Sequence, residues 1–435
     1  MKGPKYMRIL RSIPPMILIA VFFLSGCENS NTNENDKTIS LGVILPLDND
    51  NGPLRENAIR TALADINANG GIADNYQIEL IVASSEGSDR AVAAAAAADQ
   101  IRESADHLAG FIIAYSSSSA GIINWMTEDN LYPLISGSAT ADNLSGISPY
   151  FRRLVPPDSL QAKAFNHLVE QYNIQSVAIA VQEGDNFSEG LAARFKEYYR
   201  QTISAEINIT ANDPDYDNKI NQLLASNPKA IFISMLDAGI AGDFLTRLSQ
   251  RSSDHNFANV YFMITDALHS ESLFSNSLDL LTGTINGNPK NFGVMSAPDT
   301  SSAAYLHFAD RLMELHGQAV GSFNAQFYDA VYIFALAMEQ AAQSTEPDED
   351  GYRVAVNTSI SAVCNAESSG DAAINPTNGW AQMKQLVAGG AVDYSGASGN
   401  CDIDAAGNTM TPYQVFTISG TANDYRFEVI DYYTP

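Results

Sequence analysis

Cysteine is scarce in this chain, with only Cys27, Cys364 and Cys401 among 435 residues. Basic residues are scarce too: 24 Lys and Arg stand against 50 Asp and Glu, a formal net charge of −26. A surface this acidic repels phosphate backbones and anionic lipid, which argues against nucleic acid as a partner. The six histidines are scattered and no HExxH occurs, so neither a zinc hydrolase nor another metal centre is indicated. The Gly-x-Ser-x-Gly elbow, the phosphate-binding P-loop and the GxGxxG dinucleotide fingerprint are missing, and no cofactor is expected. Segments 48–52 and 402–407 are rich in Asp but lack the Gly and Glu positions of a calcium loop, and read as turns. No solenoid-type repeat is present.

An N-terminal apolar run, residues 16–24, follows four basic residues, Lys2, Lys5, Arg8 and Arg11. It is too short for a permanent transmembrane helix and has the organisation of a secretory signal. Leu24-Ser25-Gly26-Cys27 at its end resembles a lipobox, which implies cleavage before Cys27 and lipidation of its thiol. Residues 1–26 then form the signal peptide, and residues 27–37, polar and without aromatic or branched aliphatic side chains, a flexible tether. Removal of 1–26 leaves 409 residues with a charge of −30, enough for two hydrophobic cores. The remaining Cys364 and Cys401 are an even pair in an oxidising compartment. A disulfide between them would close a loop of roughly 36 residues and stabilise by about 3–4 kcal/mol.

From residue 38 the pattern alternates strand and helix. Residues 39–45 (ISLGVIL) are a continuous apolar run of the kind buried on both faces of a parallel sheet. A helix at 54–67, a strand at 78–83, an alanine-rich helix at 89–103, a strand at 108–114, a helix at 120–129 and a strand at 132–135 follow. Pro156-Pro157 interrupts the series, which then restarts from residue 162 and runs to a strand at 260–264. Two α/β lobes, each a doubly wound Rossmann-like sheet, are expected. Later segments comprise a strand at 283–286, helices at 301–316 and 325–343, an acidic linker candidate at 344–351, and a terminal hairpin from 413–418 and 425–430. Trp125 and the aromatics of 325–343 lie at helical spacing and are expected in the core.

The stretches 41–72 (LGVILP…AIRTALADINANGGI) and 115–140 (YSSSSAGIINWMTEDNLYPLISGSAT) give the chain a resemblance to a known family. Shorter ones at 157–163, 187–191, 328–331 and 394–404 add to it. The chain resembles the type I periplasmic solute-binding proteins, in particular the leucine/isoleucine/valine-binding branch that feeds ABC importers. The resemblance implies two lobes joined by crossover strands: 38–155 plus 290–343, and 156–289 plus 352–435. It also implies a small-molecule ligand, an amino acid or related amine, held in the cleft without covalent chemistry. The partners implied are ABC permease subunits and, through the anchor, the membrane; the protein would be a monomer at the periplasm or cell surface. A ligand-sensing subunit of a signalling receptor is the alternative, and a serine amidase or hydrolase a remoter one.

Ligands of open α/β sheets bind beyond the carboxyl ends of the strands, where the chain places serine-rich loops at 115–119 and 136–140. Helix capping and ligand binding both explain such loops. By resemblance, Ser117 holds the ligand α-carboxylate, Ser138 takes the ammonium through its carbonyl, and Thr140 touches both, with Ser118 and Ala139 beside them. Asp266 stands where the family has a glutamate for the ammonium, and Asp237 where a tyrosine lines the cleft. Residues 46–53 lack the family's Ser-Gly or Thr-Gly turn. Two extra carboxylates favour a polar, cationic or amide-bearing ligand over an apolar one.

Overall fold

The 39–45 run becomes the core of β1 (Thr38–Leu45). Ile39, Leu41, Val43 and Leu45 point to one side of the first sheet and Ile44 to the other, the two-residue period of a strand buried on both faces. The structure, a computed structural model, describes residues 37–434 apart from 74, 88, 277, 350, 366–371 and 423. The signal segment, the Cys27 box and the tether up to residue 36 lie outside the described residues.

Four more strands complete the first sheet: β2 (Gln77–Ser84), β3 (Leu108–Ile113), β4 (Leu134–Ser136) and β5 (Phe151–Arg153). The sheet is parallel throughout, in the order β2-β1-β3-β4-β5. Helix α1 (Asn51–Ala68) covers one face, and α2 (Arg90–Ser104) and α3 (Ser116–Trp125) the other. Asp89 caps α2 by accepting from Ala91 and Val92 N–H, which starts the alanine-rich helix at a defined residue.

After the Pro156-Pro157 crossing, α4 (Asp158–Gln171), β6 (Ser176–Gln182), α5 (Asn186–Tyr198), β7 (Thr202–Ile209), α6 (Tyr216–Ala225), β8 (Ala230–Ser234), α7 (Ala238–Ser249) and β9 (Tyr261–Thr265) build the second lobe. A small hairpin, β10 (Thr284–Ile285) with β11 (Asn288–Pro289), leads into β12 (Asn291–Ser296). The chain then returns to the first lobe for α8 (Ala303–His316), α9 (Asn324–Ala341), α10 (Tyr352–Cys364), β13 (Ala372–Ile374), α11 (Trp380–Gly389), β14 (Val392–Gly396) and β15 (Gly399–Asn400). It ends back in the second lobe with the antiparallel pair β16 (Tyr413–Ser419) and β17 (Arg426–Tyr433). The second sheet has the order β17-β16-β12-β9-β8-β6-β7.

The lobe boundaries differ from the sequence expectation. The chain crosses back after Ser296 rather than at 290, because β12 pairs in parallel with β9 and antiparallel with β16. Its six residues include Gly293, which weakens the strand signal; a Cβ there would come within 2.2 Å of the Phe416 ring. Residues 352–400 likewise belong to the first lobe instead of the second. The acidic segment after α9 leads into α10, which packs back onto α9, with Tyr352 Oη donating to Met338 O at 2.9 Å.

The expected Cys364–Cys401 disulfide is absent: both are free, buried thiols, and burial pushes the Cys364 thiol well up. Cys401 Sγ instead faces Gly399 O at 3.5 Å and the Asp329 carboxylate at 3.9 Å. Asp329, fully buried on α9, organises this region. It accepts from Tyr394 Oη (2.8 Å), Ala397 N–H (2.9 Å), Ser398 N–H and Ser398 Oγ (both 2.6 Å). The two resembling stretches 328–331 and 394–404 therefore meet around one carboxylate. Asp329→Ala would orphan four buried donors and should lower unfolding free energy by about 3 kcal/mol or more, read from urea midpoints.

Candidate functional site

Three crossings join the lobes, and their residues touch. Ser296 Oγ and Thr411 Oγ1 lie 2.6 Å apart, Ala297 N–H donates to Pro412 O at 3.0 Å, and Asp158 N–H to Thr140 O at 2.8 Å. Between the lobes lies a cleft of about 410 Å³, counting solvent at its mouth. Its walls include Arg55, Tyr115, Ser116, Ser138 and Thr140 from the first lobe, and Phe187, Leu236, Asp266 and His269 from the second. Ser322 and Phe323, just before α9, close one end.

The serine run is helical from Ser116, so the serines diverge around α3 rather than lining up in a loop. Ser119 N–H makes the first intrahelical bond, to Tyr115 O, and the N–H groups before it have no partner within the helix. Ser116 faces the cleft and accepts from Ala141 N–H at 3.1 Å; Ser138 Oγ accepts from Tyr115 N–H at 3.2 Å. Tyr115 holds φ +68° without being glycine, and Phe323, which also lines the cleft, holds +64°. Two aromatic residues in this strained region at one cleft mark the spot as one the fold over-determines.

Of the residues expected to bind, Ser138, Thr140 and Asp266 line the cleft. Ser117, Ser118, Ala139 and Asp237 do not. Ser117 points at the second lobe, donating to Asp185 Oδ2 (3.2 Å) and accepting from Asn186 N–H (3.3 Å). Ser118 and Ala139 are fully buried, and Ala139 O accepts from the Arg153 guanidinium. Asp237 caps α7 through Gly239 and Ile240 N–H and lies 3.7 Å from Arg90 Nη2. Ser117–Asp185, Arg90–Asp237, a reciprocal Asn143–Asn186 pair and Arg194–Asp142 at 3.0 Å hold the lobes together across the mouth.

Sequence reasoning missed Arg55. It occupies the inward stripe of α1, residues 55, 58, 59, 62 and 66, and a cation at an apolar helix position was the available signal. Its guanidinium lies 5.0 Å from the Tyr115 ring centroid and 5.3 Å from that of Phe327. Burial lowers its pKa, opposed by Tyr115 and Asp266.

The Asp266 carboxyl is buried, and desolvation pushes its pKa up to about 6, against the Gln161 amide and the Ala267 N–H. Burial also holds the Asp158 carboxyl well above the usual range; the Thr140 hydroxyl beside it stands at a geometry short of a full hydrogen bond. The His269 imidazole is pushed down to about 4 by burial, and its Nδ1 sits 2.8 Å from Ser322 Oγ. At neutral pH the cleft thus presents a desolvated carboxylate, a neutral imidazole, a guanidinium, the hydroxyls of Ser116, Ser138, Thr140 and Ser322, and a helix N-terminus. Among the described residues no cluster of His, Cys, Asp and Glu could hold a metal ion.

The two α/β lobes and the cleft between them are those of a type I periplasmic binding protein. The chain belongs to the family described as "receptor family ligand binding region", which matches residues 54–421. Its fold is shared with the leucine-binding protein LivK of Thermotoga maritima (TM-score 0.71, 17% identity, 91% of this chain and 99% of that one). It is likewise shared with the branched-chain amino acid transporter substrate-binding protein LivJ of Streptococcus pneumoniae in complex with isoleucine (TM-score 0.68, 19% identity, 91% and 99%). A curated relative, glutamate receptor 2.4 of Arabidopsis thaliana, is 22% identical over 341 residues, 76% of this chain. The chain spans about a third of that relative's length (36%).

The raised Asp266 pKa has a consequence for stability. A carboxyl that binds its proton more tightly when folded stabilises the fold below pH 4, and that contribution is lost as pH rises through 6. The displacement from 3.8 to about 6 is worth about 3 kcal/mol. Without ligand, Asp266→Asn should match the wild type at pH 4 and exceed it by about that amount at pH 8, by urea midpoints. Equal stability at pH 8 would contradict a buried charge.

Proposed function

We propose that the protein is an extracytoplasmic solute-binding protein that captures an α-amino acid or related small amine and delivers it to an ABC importer. The observation that carries this is the pairing of opposite chemistries in one cleft. The α3 N-terminus with Ser116, Ser138 and Thr140 suits a carboxylate, and the buried Asp266 carboxylate, 4% exposed, suits an ammonium. Asp266 feels the Arg55 guanidinium only from beyond ion-pair distance, and a bound ammonium supplies a contact counter-charge, so ligand and closed lobes stabilise each other. Ser117, Arg194 and Asp142 serve closure rather than ligand contact, a hinge motion that turns occupancy into a surface a permease can recognise. The likeness to leucine- and isoleucine-binding proteins supports the reading.

Use of the same fold as a sensor is the second reading, favoured by the match to a plant glutamate receptor. A serine hydrolase finds no support at Ser117, whose oxygen partners a carboxylate and a backbone amide. The anchor reading places lipidated Cys27 at the membrane, and no helix among the described residues is long and apolar enough to cross one.

Thermal shift across the amino acids should give a rise in melting temperature with at least one of them. Asp266→Ala should weaken that binding at least about 100-fold. If amine-free carboxylic acids raise the melting temperature while no amino acid does, the reading fails. Cys27→Ser should move the protein from the membrane pellet to the soluble fraction; unchanged sedimentation would remove the anchor.

A further inference from the structure

Among the described residues two arginines are buried, and the fold treats them differently. Arg153, fully buried, donates from Nε to Asn408 Oδ1, from Nη1 to Ala139 O and Ala141 O, and from Nη2 to Ser145 Oγ. Arg55 is 3% exposed, yet its Nε and Nη1 have no hydrogen-bond partner. Among the described residues it forms no ion pair. Aromatic faces hold it instead: Tyr115 at 5.0 Å, Phe327 at 5.3 Å and Phe323 at 5.8 Å. Two of those three, Tyr115 and Phe323, are the residues with positive φ. Rings fix the plane of a guanidinium without using its in-plane N–H groups, which leaves the fork free for an acceptor.

The Tyr115 hydroxyl also approaches Arg55, at a geometry short of a full hydrogen bond, so a charged acceptor is left for a ligand to supply. The α3 N-terminus and its hydroxyls already form a site for one carboxylate, and a leucine-like side chain would leave the Arg55 fork dry and unmatched. We propose that the cleft selects an α-amino acid with a second carboxylate, of the aspartate or glutamate type, whose distal group is taken by the Arg55 fork. The inference rests on the amino-acid reading of this cleft and reverses the ligand charge expected from Asp237, which lies outside it. Asn51, His269 and Ser322 at the same cleft supply further polar contacts for an acidic side chain. A planar, two-pronged match of this kind discriminates an acid from its amide, because the amide brings no charge.

The test is calorimetry on the full chain with L-glutamate, L-aspartate, L-glutamine, L-leucine and glutarate. Wild type should bind one of the two acids about 100-fold or more tighter than L-leucine and L-glutamine. Arg55→Gln should weaken binding of the preferred acid about 100-fold or more and remove its advantage over L-glutamine; Arg55→Lys should lie between. If Arg55→Gln does not fold, the wild-type ranking and Arg55→Lys still decide. L-leucine or L-glutamine binding as tightly as the acids overturns the Arg55 assignment and leaves the amino-acid reading standing. Glutarate binding as tightly as L-glutamate, unaffected by Asp266→Asn, would keep the Arg55 site but overturn the amino-acid reading. No binding by any of the five overturns both.

Discussion

The guanidinium of Arg153 ties the loop just before its own strand to Asn408, 255 residues further along the chain. It ends β5, reaches the carbonyls of Ala139 and Ala141 in the loop that carries Ser138 and Thr140, and holds Asn408 on the final approach to the second lobe. Its own backbone N–H donates to Gly407 O at 2.9 Å, so side chain and main chain bind the same returning segment. A charge this deeply buried is tolerated only because its donors are matched. The position of the cleft wall relative to the crossings follows from that match.

The cleft itself is built on the opposite terms. Asp266 and Asp158 are desolvated carboxyls whose pKa values burial raises, and Arg55 keeps an open fork. The fold carries them because the neighbouring aromatics and the crossings over-determine their positions. Stability and the cleft are separated in space: Arg153 and Asp329 are fully matched by hydrogen bonds within the protein, whereas Arg55 and Asp266 are matched only in part.

Much of the fold was legible because parallel strands buried on both faces read as unbroken apolar runs, as in β1, β6 and β8. The pattern failed at β12, where Gly293 makes room for the Phe416 ring and interrupts the run, and this one strand shifted the lobe boundary. The acidic segment after α9 was composed like a linker, but acidity reports exposure and not how the chain turns. At the site, resemblance located the loops yet not the facing of each side chain. Starting α3 at Ser116 rather than Ala120 rotates Ser117 toward the second lobe and Ser116 into the cleft. Arg55 went unnoticed because helical periodicity was used to find apolar stripes, and a charged residue inside one was not weighed. Asp237 looked like a cleft group because an N-cap at a strand end has the same address in sequence.

The buried helix α9 packs on α1, more than 250 residues earlier in the chain. The first lobe therefore cannot finish its core until residues well past the second lobe have been made, whereas β6 to β12 form a contiguous unit within residues 176–296. Contacts so distant in sequence form slowly, since loop closure must precede their reward. A chain emerging from its amino end thus shows the apolar face of β1 and α1 to its surroundings for most of its synthesis. The cage around Arg55, which needs Phe323 and Phe327, is assembled only after both lobes have a sheet to close upon. Ligand competence is a late event in the life of each molecule, set by the order in which its residues appear.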